Sequence, residues 1–294
     1  MSEQRFGLKC RPFPPTPDTS LYYPASSAEA ALAALGRGLE QDESFVLLIG
    51  DAGTGKTLLG YSLLERLGEK FVSAFLTNSH YADRSALLQA ILYDLGLPHD
   101  EGTEQTLRLR LTDHLLKNYA AERRTLLVID EAHLLGADLL EELRLLANLE
   151  AGGNKTLQVV LLAQPAIAAT LKQPSLASLQ QRIAVRTTLV PLDVEEAYDY
   201  LLHHVRLAGG KPEKVFDDTA LEAIARGATG IPRCLNQAAH QALVLADEGE
   251  LSIVDTEAAL EALTILGMTP SEEQAESEPP TDGHPNIQNF MRTA

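Results

Sequence analysis

The chain has 294 residues, 45% of them hydrophobic and 22% charged, which is typical of a soluble globular protein with room for one large or two smaller domains. Its formal net charge of −17 weighs against extensive binding of nucleic acid or anionic lipid. The sequence contains no apolar run long enough to span a membrane, and the stretch from Met1 to Lys9 lacks the apolar core of a signal peptide. Since Cys10 and Cys234 are far apart, we predict a cytoplasmic protein without a disulfide framework.

Prolines dominate the start of the chain, and strands alternate with helices after it. The stretch from Pro12 to Pro17 excludes helix, because proline lacks a backbone N–H and restricts the residue before it. Ser26 or Ser27 is placed to cap the first helix. Helices are predicted at 28–39, 57–67, 85–95, 106–119, 138–149 and 175–181, and strands at 44–49, 71–76, 125–129, 157–162 and 183–189. This order predicts an α/β fold in which helices cover both faces of a parallel sheet.

The pattern changes after Pro191, where no further strand is predicted. Amphipathic helices are expected at 195–207, 218–226, 232–246 and 256–266, with Asp218 and Asp255 as caps. From Thr269 onward the residues are acidic and polar with little to bury, which favours disorder. The predicted organisation is an irregular segment at 1–24, an α/β domain at 25–190, a helical lid domain at 191–267 and a disordered acidic tail at 268–294.

A complete G-x-x-x-x-G-K-T phosphate-binding loop occupies residues 50–57, between the first predicted strand and the helix after it. Its glycines let the backbone curl so that successive N–H groups point at a phosphate chain, which then sits on a helix N-terminus. Lys56 can reach the β- and γ-phosphates, and the Thr57 hydroxyl can bind Mg²⁺. The residues predicted to hold a nucleotide are Gly50, Asp51, Ala52, Gly53, Thr54, Gly55, Lys56, Thr57 and Leu58.

An apolar strand that ends in Asp130 and Glu131 is predicted to supply the acids of the same site. In an open α/β sheet such a strand delivers its last side chains beside the phosphate loop. We predict that Asp130 holds Mg²⁺, through water, and that Glu131 orients and polarises the attacking water. His133 follows closely, as a strand-end neighbour or as a group near the γ-phosphate.

Taken together, the loop, the Asp-Glu strand and the helical region resemble the AAA+ ATPases, and more narrowly the ExeA/GspA secretion ATPase family with its MshM-like pilus-biogenesis relatives. The resemblance covers residues 5–266 approximately. The motifs that carry it are Phe6-Gly7-Leu8, Pro12-Phe13, Thr16-Pro17-Asp18, Glu142 to Glu150, Leu157 to Pro165, Gln181-Arg182-Ile183 and Gly230-Ile231-Pro232-Arg233. It implies a three-layer αβα P-loop NTPase fold followed by a small all-helical lid.

The resemblance also implies roles for side chains outside the two motifs. Asn78 follows the second strand, where AAA+ proteins keep a polar residue that restrains the catalytic glutamate. Gln164 falls at the sensor-1 position, although it can instead bond a neighbouring carbonyl at the strand end. Arg182 falls where an arginine finger reaches the ATP of the next subunit, with Arg186 as a competing candidate. Arg233 occupies the sensor-2 position.

Two aromatic residues and one departure from the family pattern complete the site predictions. Tyr22 and Tyr23 are candidates to flank the adenine. The alternative, in which they have no part in binding, is equally well supported by the sequence. The family's Gly-Gln-Pro-Glu motif reads Ala163-Gln164-Pro165-Ala166 here. The acid is missing, which puts any role that it has in relatives in doubt.

The resulting hypothesis is an oligomeric AAA+ ATPase that uses ATP and Mg²⁺ and serves type II secretion or pilus-type assembly as a motor or switch subunit. A ring or filament of copies and a secretion or pilus-assembly partner are expected. The family's membrane span and peptidoglycan-binding region are not expected to carry over, so attachment to the inner membrane would run through a partner. The alternatives are a DNA-binding target-selection protein of a transposition system, disfavoured by the acidic charge, and a nucleotide-binding scaffold that does not hydrolyse ATP.

Overall fold

The computed structural model describes residues 5–100 and 102–268. The helices are α1 (Ser26–Glu40), α2 (Lys56–Leu67), α3 (Arg84–Asp94), α4 (Glu104–Ala120), α5 (Ala137–Leu146), α6 (Ile167–Leu171), α7 (Ala177–Arg182), α8 (Val194–Leu207), α9 (Pro212–Val215), α10 (Asp218–Gly227), α11 (Pro232–Glu248) and α12 (Thr256–Ile265). The strands are β1 (Phe45–Gly50), β2 (Phe71–Leu76), β3 (Arg124–Ile129), β4 (Glu150–Ala151), β5 (Asn154–Lys155), β6 (Leu157–Ala163) and β7 (Ile183–Leu189).

The main sheet has five parallel strands in the order β2-β3-β6-β1-β7, which confirms the predicted α/β fold. Its central strands β3, β6 and β1 are apolar except at Arg124, Thr125 and Gln158, because both faces of the sheet are covered. Alternate side chains of β1 point to opposite faces: Val46 and Leu48 join one buried cluster, and Phe45 and Leu47 join the other. The carboxyl ends of β1, β3 and β6 therefore meet at one edge of the sheet.

Helices α1 and α2 cover one face of the sheet, and α3, α4 and α5 cover the other. The cluster under α1 and α2 continues without a break into the C-terminal helices, which pack around α11 and α12. Leu189 at the end of β7 and Leu192 just after it belong to this shared cluster. The α/β layer and the helical lid thus share one apolar core on this side of the sheet.

The N-terminal segment packs on the lid before it reaches α1. Lys9 donates its backbone N–H to Ala208, and His204 Nδ1 lies 3.0 Å from the carbonyl oxygen of Pro12. The Phe13 ring is buried and stacks on the His204 ring, with 5.8 Å between the centroids. These contacts hold residues 8–13 against α8.

Burial of His204 predicts a specific loss of stability in acid. Burial lowers the pKa of His204 from 6.5 to about 4, and the nearby bond to Pro12 only partly offsets this. The charged form is disfavoured in the folded state, so the stabilisation is complete above pH 6.5 and is lost as the pH falls towards 4. We expect the wild type to lose about 3 kcal/mol more unfolding free energy between pH 7 and pH 4 than His204→Asn, which keeps a donor for Pro12. Urea unfolding at several pH values measures the difference, and equal losses would contradict it.

A buried carboxylate lies among α3, α4 and α5. Glu142 is fully buried, and its Oε2 accepts from Arg108 at 2.8 Å and lies 4.0 Å from Arg84. Within the described residues, its Oε1 has no hydrogen-bond partner. Arg108 also pairs with Glu104 at the exposed end of the same network. Removing the cation would leave this carboxylate buried without its nearest partner.

Arg108→Met is therefore expected to lower the unfolding free energy by about 3 kcal/mol, at the low end for a broken buried pair because Arg84 remains near. The matched control is Arg226→Met, which removes an exposed pair with Glu222 and should cost less than about 1 kcal/mol. Urea unfolding of both variants compares the two losses. Similar small losses would mean that the network among α3, α4 and α5 does not stabilise the fold.

Several predicted local features differ from the structure. Helix α5 ends at Leu146 rather than at 149, and the Gly152-Gly153 pair turns a two-stranded hairpin, β4–β5, that was not predicted. The residue before α1 is Ala25, and Ser26 bonds Glu196 instead of capping. Asp218 accepts from Tyr198, whereas Asp255 caps α12 as predicted. The short helices α6 and α9 were not predicted. The tail predicted at 268–294 lies outside the described residues from 269 onward.

Candidate nucleotide site

The candidate site lies where β1, β3 and β6 end. Strand β1 leads into the phosphate loop, and Gly55 caps α2 in the left-handed conformation with φ +98°. Gly53 also has a positive φ of +83°, and a Cβ atom there would come within 3.0 Å of Ile231 and Arg233. A side chain at this position would therefore collide with the lid as well as strain the loop.

Lys56 is almost completely buried at the start of α2. Its Nζ donates to the carbonyl oxygens of Gly50 (2.9 Å) and Asp51 (2.8 Å), so the ammonium closes the loop on itself. Burial lowers the pKa of Lys56, and the carboxylates of Glu131 and Asp130 act in the opposite direction. A phosphate anion in the loop would give this ammonium a charged partner in place of two carbonyls.

Asp130 reaches the first turn of α2, although the structure places β6 between its strand and β1. The Thr57 hydroxyl donates to Asp130 Oδ2 at 2.5 Å. Burial raises the pKa of Asp130, and the hydrogen bond from Thr57 acts against that. The described residues hold no group of three or more His, Cys, Asp or Glu side chains suited to a metal ion. One hydroxyl and one carboxylate fit Mg²⁺, which takes few protein ligands and fills its shell with phosphate oxygens and water.

The peptide between Asp130 and Glu131 is held at both ends. Its carbonyl oxygen accepts from the buried Ser79 hydroxyl, and its N–H donates to Asp130 Oδ1 at 2.8 Å. The Asp130 N–H bonds Leu76 at the end of β2. Glu131 itself has a φ of +52°, a conformation that is unfavourable for a residue with a Cβ. The loop after β2 therefore fixes a backbone conformation that turns Glu131 out of its strand.

The Glu131 side chain is bonded to the end of β6. Gln164 Nε2 donates to Glu131 Oε2 at 3.1 Å, and His133 Nε2 lies 3.5 Å from the same oxygen. The backbone N–H of Gln164 donates to His133 Nδ1 at 3.3 Å. The structure thus brings the predicted sensor residue to the predicted catalytic carboxylate and adds His133 between them.

The lid touches the phosphate loop through the turn before α11. Gly230 has a φ of +69°, and a Cβ there would lie 1.8 Å from the carbonyl oxygen of Leu192, so only glycine fits. Its carbonyl accepts from the Leu192 N–H at 2.8 Å. Three residues later, the Arg233 N–H donates to Gly53 at 3.2 Å. Arg233 is exposed and lines the cavity over the loop.

A cavity of about 520 Å³ lies between the phosphate loop and the lid. Gly53, Gly55, Lys56, Leu58 and Glu131 form its floor, and the other walls come from α8, α11 and the segment 11–18. A smaller cavity of about 60 Å³ adjoins Thr54, Gly55 and Leu58 on the other side, and Tyr22 and Tyr23 line it. The large cavity has the size of a small-molecule site with one charged end.

Three predicted residues lie apart from this cluster. Asn78 is exposed and accepts from the His80 N–H, and the described residues show no hydrogen bond between Asn78 and Glu131. Arg182 ends α7 and does not line the large cavity. Arg144 and Lys155 lower the pKa values of Glu141 and Glu150, and Arg182 adds to both effects. Arg186 lies on β7, the outer strand of the sheet, and donates to the carbonyl oxygen of Gln180 in α7.

Comparison with known proteins shows what this chain is similar to. An AAA domain matches residues 39–171. General secretion pathway protein A of Aeromonas hydrophila is 38% identical over 270 residues, which are 91% of this chain and 49% of that protein. Residues 39–171 therefore carry an AAA domain. The chain spans about half the length of this curated relative, to which it is similar along nearly all of its own sequence.

Solved structures share the fold of this chain. Cdc6p of Pyrobaculum aerophilum matches with a TM-score of 0.68 and 18% identity, covering 89% of this chain and 74% of that one. The Aeropyrum pernix ORC1 protein, solved in complex with DNA, matches with a TM-score of 0.65 and 20% identity over 87% and 69%. A single-residue variant of Thermotoga maritima RuvB matches with a TM-score of 0.59 and 18% identity over 84% and 73%. These matches show the P-loop NTPase fold with its helical C-terminal region.

Two contacts of this site were not predicted from the sequence, those of Ser79 and of His133. A serine three residues beyond a strand carries no sequence signal, whereas the histidine two residues after Glu131 is a candidate whose partners the sequence does not indicate. No helix among the described residues is both long and apolar enough to cross a membrane.

Proposed function

We propose that the protein binds ATP with Mg²⁺ between the α/β domain and the lid and hydrolyses it to ADP and phosphate. The observation that carries this proposal is that the start of α2 meets the acids after β3: Lys56 and Glu131 line one cavity, and the Thr57 hydroxyl bonds Asp130. A phosphate-binding loop faced by two carboxylates is suited to phosphoryl transfer to water. Bound Mg²⁺ would neutralise charge that develops on the phosphate oxygens, with Thr57 and Asp130 as its protein ligands.

The backbone and side chains of the site would have separate roles in ATP binding and hydrolysis. The loop N–H groups and Lys56 bind the phosphates, and Arg233 approaches them from the lid. Glu131 accepts a proton from the attacking water, because its carboxylate lines the cavity next to Lys56. Gln164 is already bonded to that carboxylate, which supports a sensor role for its amide. Closure of the lid would exclude water from the cavity.

We also propose that the active form is an oligomer in which Arg182 reaches the nucleotide of a neighbouring copy. The support is its position, since Arg182 does not line its own cavity. Charge adds a second argument: the stretch from 151 to 192 carries Lys155, Lys172, Arg182 and Arg186 and no acid, in a chain with a net charge of −17. This basic stretch suits contact with phosphates or with an acidic surface of the next copy.

The process served is proposed to be secretion or pilus-type assembly, with the protein as a motor or switch subunit acting from the cytoplasmic side. The name of the 38% identical relative supports this choice. ATP-dependent DNA binding remains the alternative, with less support, because the net charge of −17 would repel DNA outside the basic stretch.

ATP binding and phosphate release by the purified protein test the central proposal. Lys56→Ala is expected to weaken ATP binding by at least about 100-fold, because it removes a buried ammonium from the phosphates. Lys70→Ala, an exposed lysine just past the end of the same helix, is the matched control and should bind like the wild type. Calorimetry of both variants measures this. Unchanged affinity in Lys56→Ala, or no phosphate release by the wild type, would contradict the proposal.

A further inference from the structure

We infer that His133 is a positioning residue that sets the Glu131 carboxylate through two contacts at once. The inference rests on the proposed ATPase function and deepens it. His133 lies two residues after Glu131, and its side chain is only 11% exposed. One ring nitrogen faces the carboxylate of Glu131 and the other faces the backbone of Gln164. The ring therefore connects the acid after β3 to the sensor residue after β6.

The proton on the ring can be assigned from its partners. Nδ1 accepts from the Gln164 N–H, so it carries no proton, and a neutral ring then has its proton on Nε2. That nitrogen is the one that lies 3.5 Å from Glu131 Oε2. The ring thus presents a donor to the carboxylate and an acceptor to the sensor backbone. The opposite tautomer would lose both interactions.

These contacts close a cycle through the three residues. Glu131 Oε2 accepts from the side-chain amide of Gln164, and the backbone N–H of Gln164 donates to His133 Nδ1. The other ring nitrogen of His133, Nε2, faces the same Glu131 Oε2. One carboxylate oxygen thereby has two neighbouring donors, which leaves Oε1 as the oxygen for a water molecule. Because φ of Glu131 is +52°, its backbone is already constrained, and the cycle fixes the side chain as well.

The consequence is mechanical as well as chemical. Any shift of Gln164 towards a γ-phosphate pulls on a peptide that is bonded to His133, so the sensor and the catalytic acid move together. His133 would touch neither nucleotide nor water itself. Its effect should therefore appear in turnover and not in ATP affinity, and only while Glu131 is present.

Two near-isosteric variants separate the contacts. In His133→Asn the amide oxygen sits where Nδ1 was and can still accept from Gln164, but the side chain is too short for Glu131. In His133→Gln the amide nitrogen can reach Glu131, but nothing remains to accept from the Gln164 backbone. We expect His133→Ala to lower kcat about 10- to 100-fold with ATP affinity within about 2-fold of wild type, as for loss of a residue that orients a reacting group. Each amide variant should recover part of that loss.

A double-mutant cycle tests the inference against a merely structural role. In the Glu131→Gln background, His133→Ala should cause no further loss of phosphate release, because the group that it positions is already gone. His80→Ala, an exposed histidine in the loop after β2, is the control and should behave like wild type. Wild-type turnover by His133→Ala, equal losses in all three His133 variants, or additive losses in the double variant would overturn the inference.

Failure of the inference can be told apart from failure of the proposed function. If the wild type hydrolyses ATP, Glu131→Gln abolishes hydrolysis and His133→Ala keeps normal turnover, only the role of His133 is contradicted. A wild type without hydrolysis, or a Glu131→Gln variant with full hydrolysis, would overturn the ATPase proposal and the role of His133 with it.

Discussion

Glu131→Gln is expected to bind ATP like the wild type and to hydrolyse it about 10²–10⁴ times more slowly, the usual range for loss of a general base. The amide keeps the size of the side chain and can still bond Gln164, which is the observed neighbour at 3.1 Å. What it loses is the ability to take a proton from water. Calorimetric ATP binding together with steady-state phosphate release measures the two effects separately.

The matched control for this variant is Glu141→Gln. Glu141 is a half-exposed acid on α5 that pairs with Arg144 and lies outside the cavity. It should leave both binding and turnover unchanged. Turnover by Glu131→Gln at the wild-type rate would show that another group activates the water, and the assignment of Glu131 would have to be withdrawn.

Arg182→Ala is expected to reduce hydrolysis about 10³–10⁵-fold, the range for removal of an arginine finger. Binding of ATP should persist, because the phosphate loop of the same copy is intact. The sharpest measurement is complementation. Lys56→Ala copies are expected to bind ATP poorly but still carry Arg182, so mixing them with inactive Arg182→Ala copies should restore part of the hydrolysis at mixed interfaces.

Arg186→Ala is the control for Arg182→Ala, and it also tests Arg186 as the competing candidate for the arginine finger. Its guanidinium is bonded to Gln180, so its loss should change hydrolysis by less than about 10-fold if Arg182 is the finger. Loss of activity in Arg186→Ala with activity kept in Arg182→Ala would reverse the assignment. If no mixture of Lys56→Ala and Arg182→Ala copies restores hydrolysis, the result would argue against a site shared between copies.

The phosphate loop and the acids after β3 could be predicted because each depends on short-range spacing. A strand, a glycine-rich turn and a helix follow one another within residues 45–67, and Asp130 follows its strand directly. Strand order could not be predicted in the same way. Nothing local in the sequence indicates that β6 lies between β1 and β3, since parallel neighbours are chosen by long crossovers.

Contacts made by side chains from distant segments were the hardest to predict. The resemblance indicated Asn78 as the polar residue after β2, yet the adjacent Ser79 is the one that bonds the Asp130–Glu131 peptide. A shift of one residue in a loop turns a side chain from the site to solvent. His133 shows the same limit, because its second partner, Gln164, is thirty-one residues further along the chain.

The proline-rich segment limits how far the lid can separate from the α/β domain. Residues before Pro14 are fastened to α8, and just past Asp18 the Thr19 hydroxyl bonds Glu65 on α2. The intervening residues from Pro14 to Asp18 can extend to about 18 Å at most. They form a short, stiff connection across the opening of the cavity. If the proposed hydrolysis moves the lid, this connection would allow a tilt but would prevent full separation of the lid from α2.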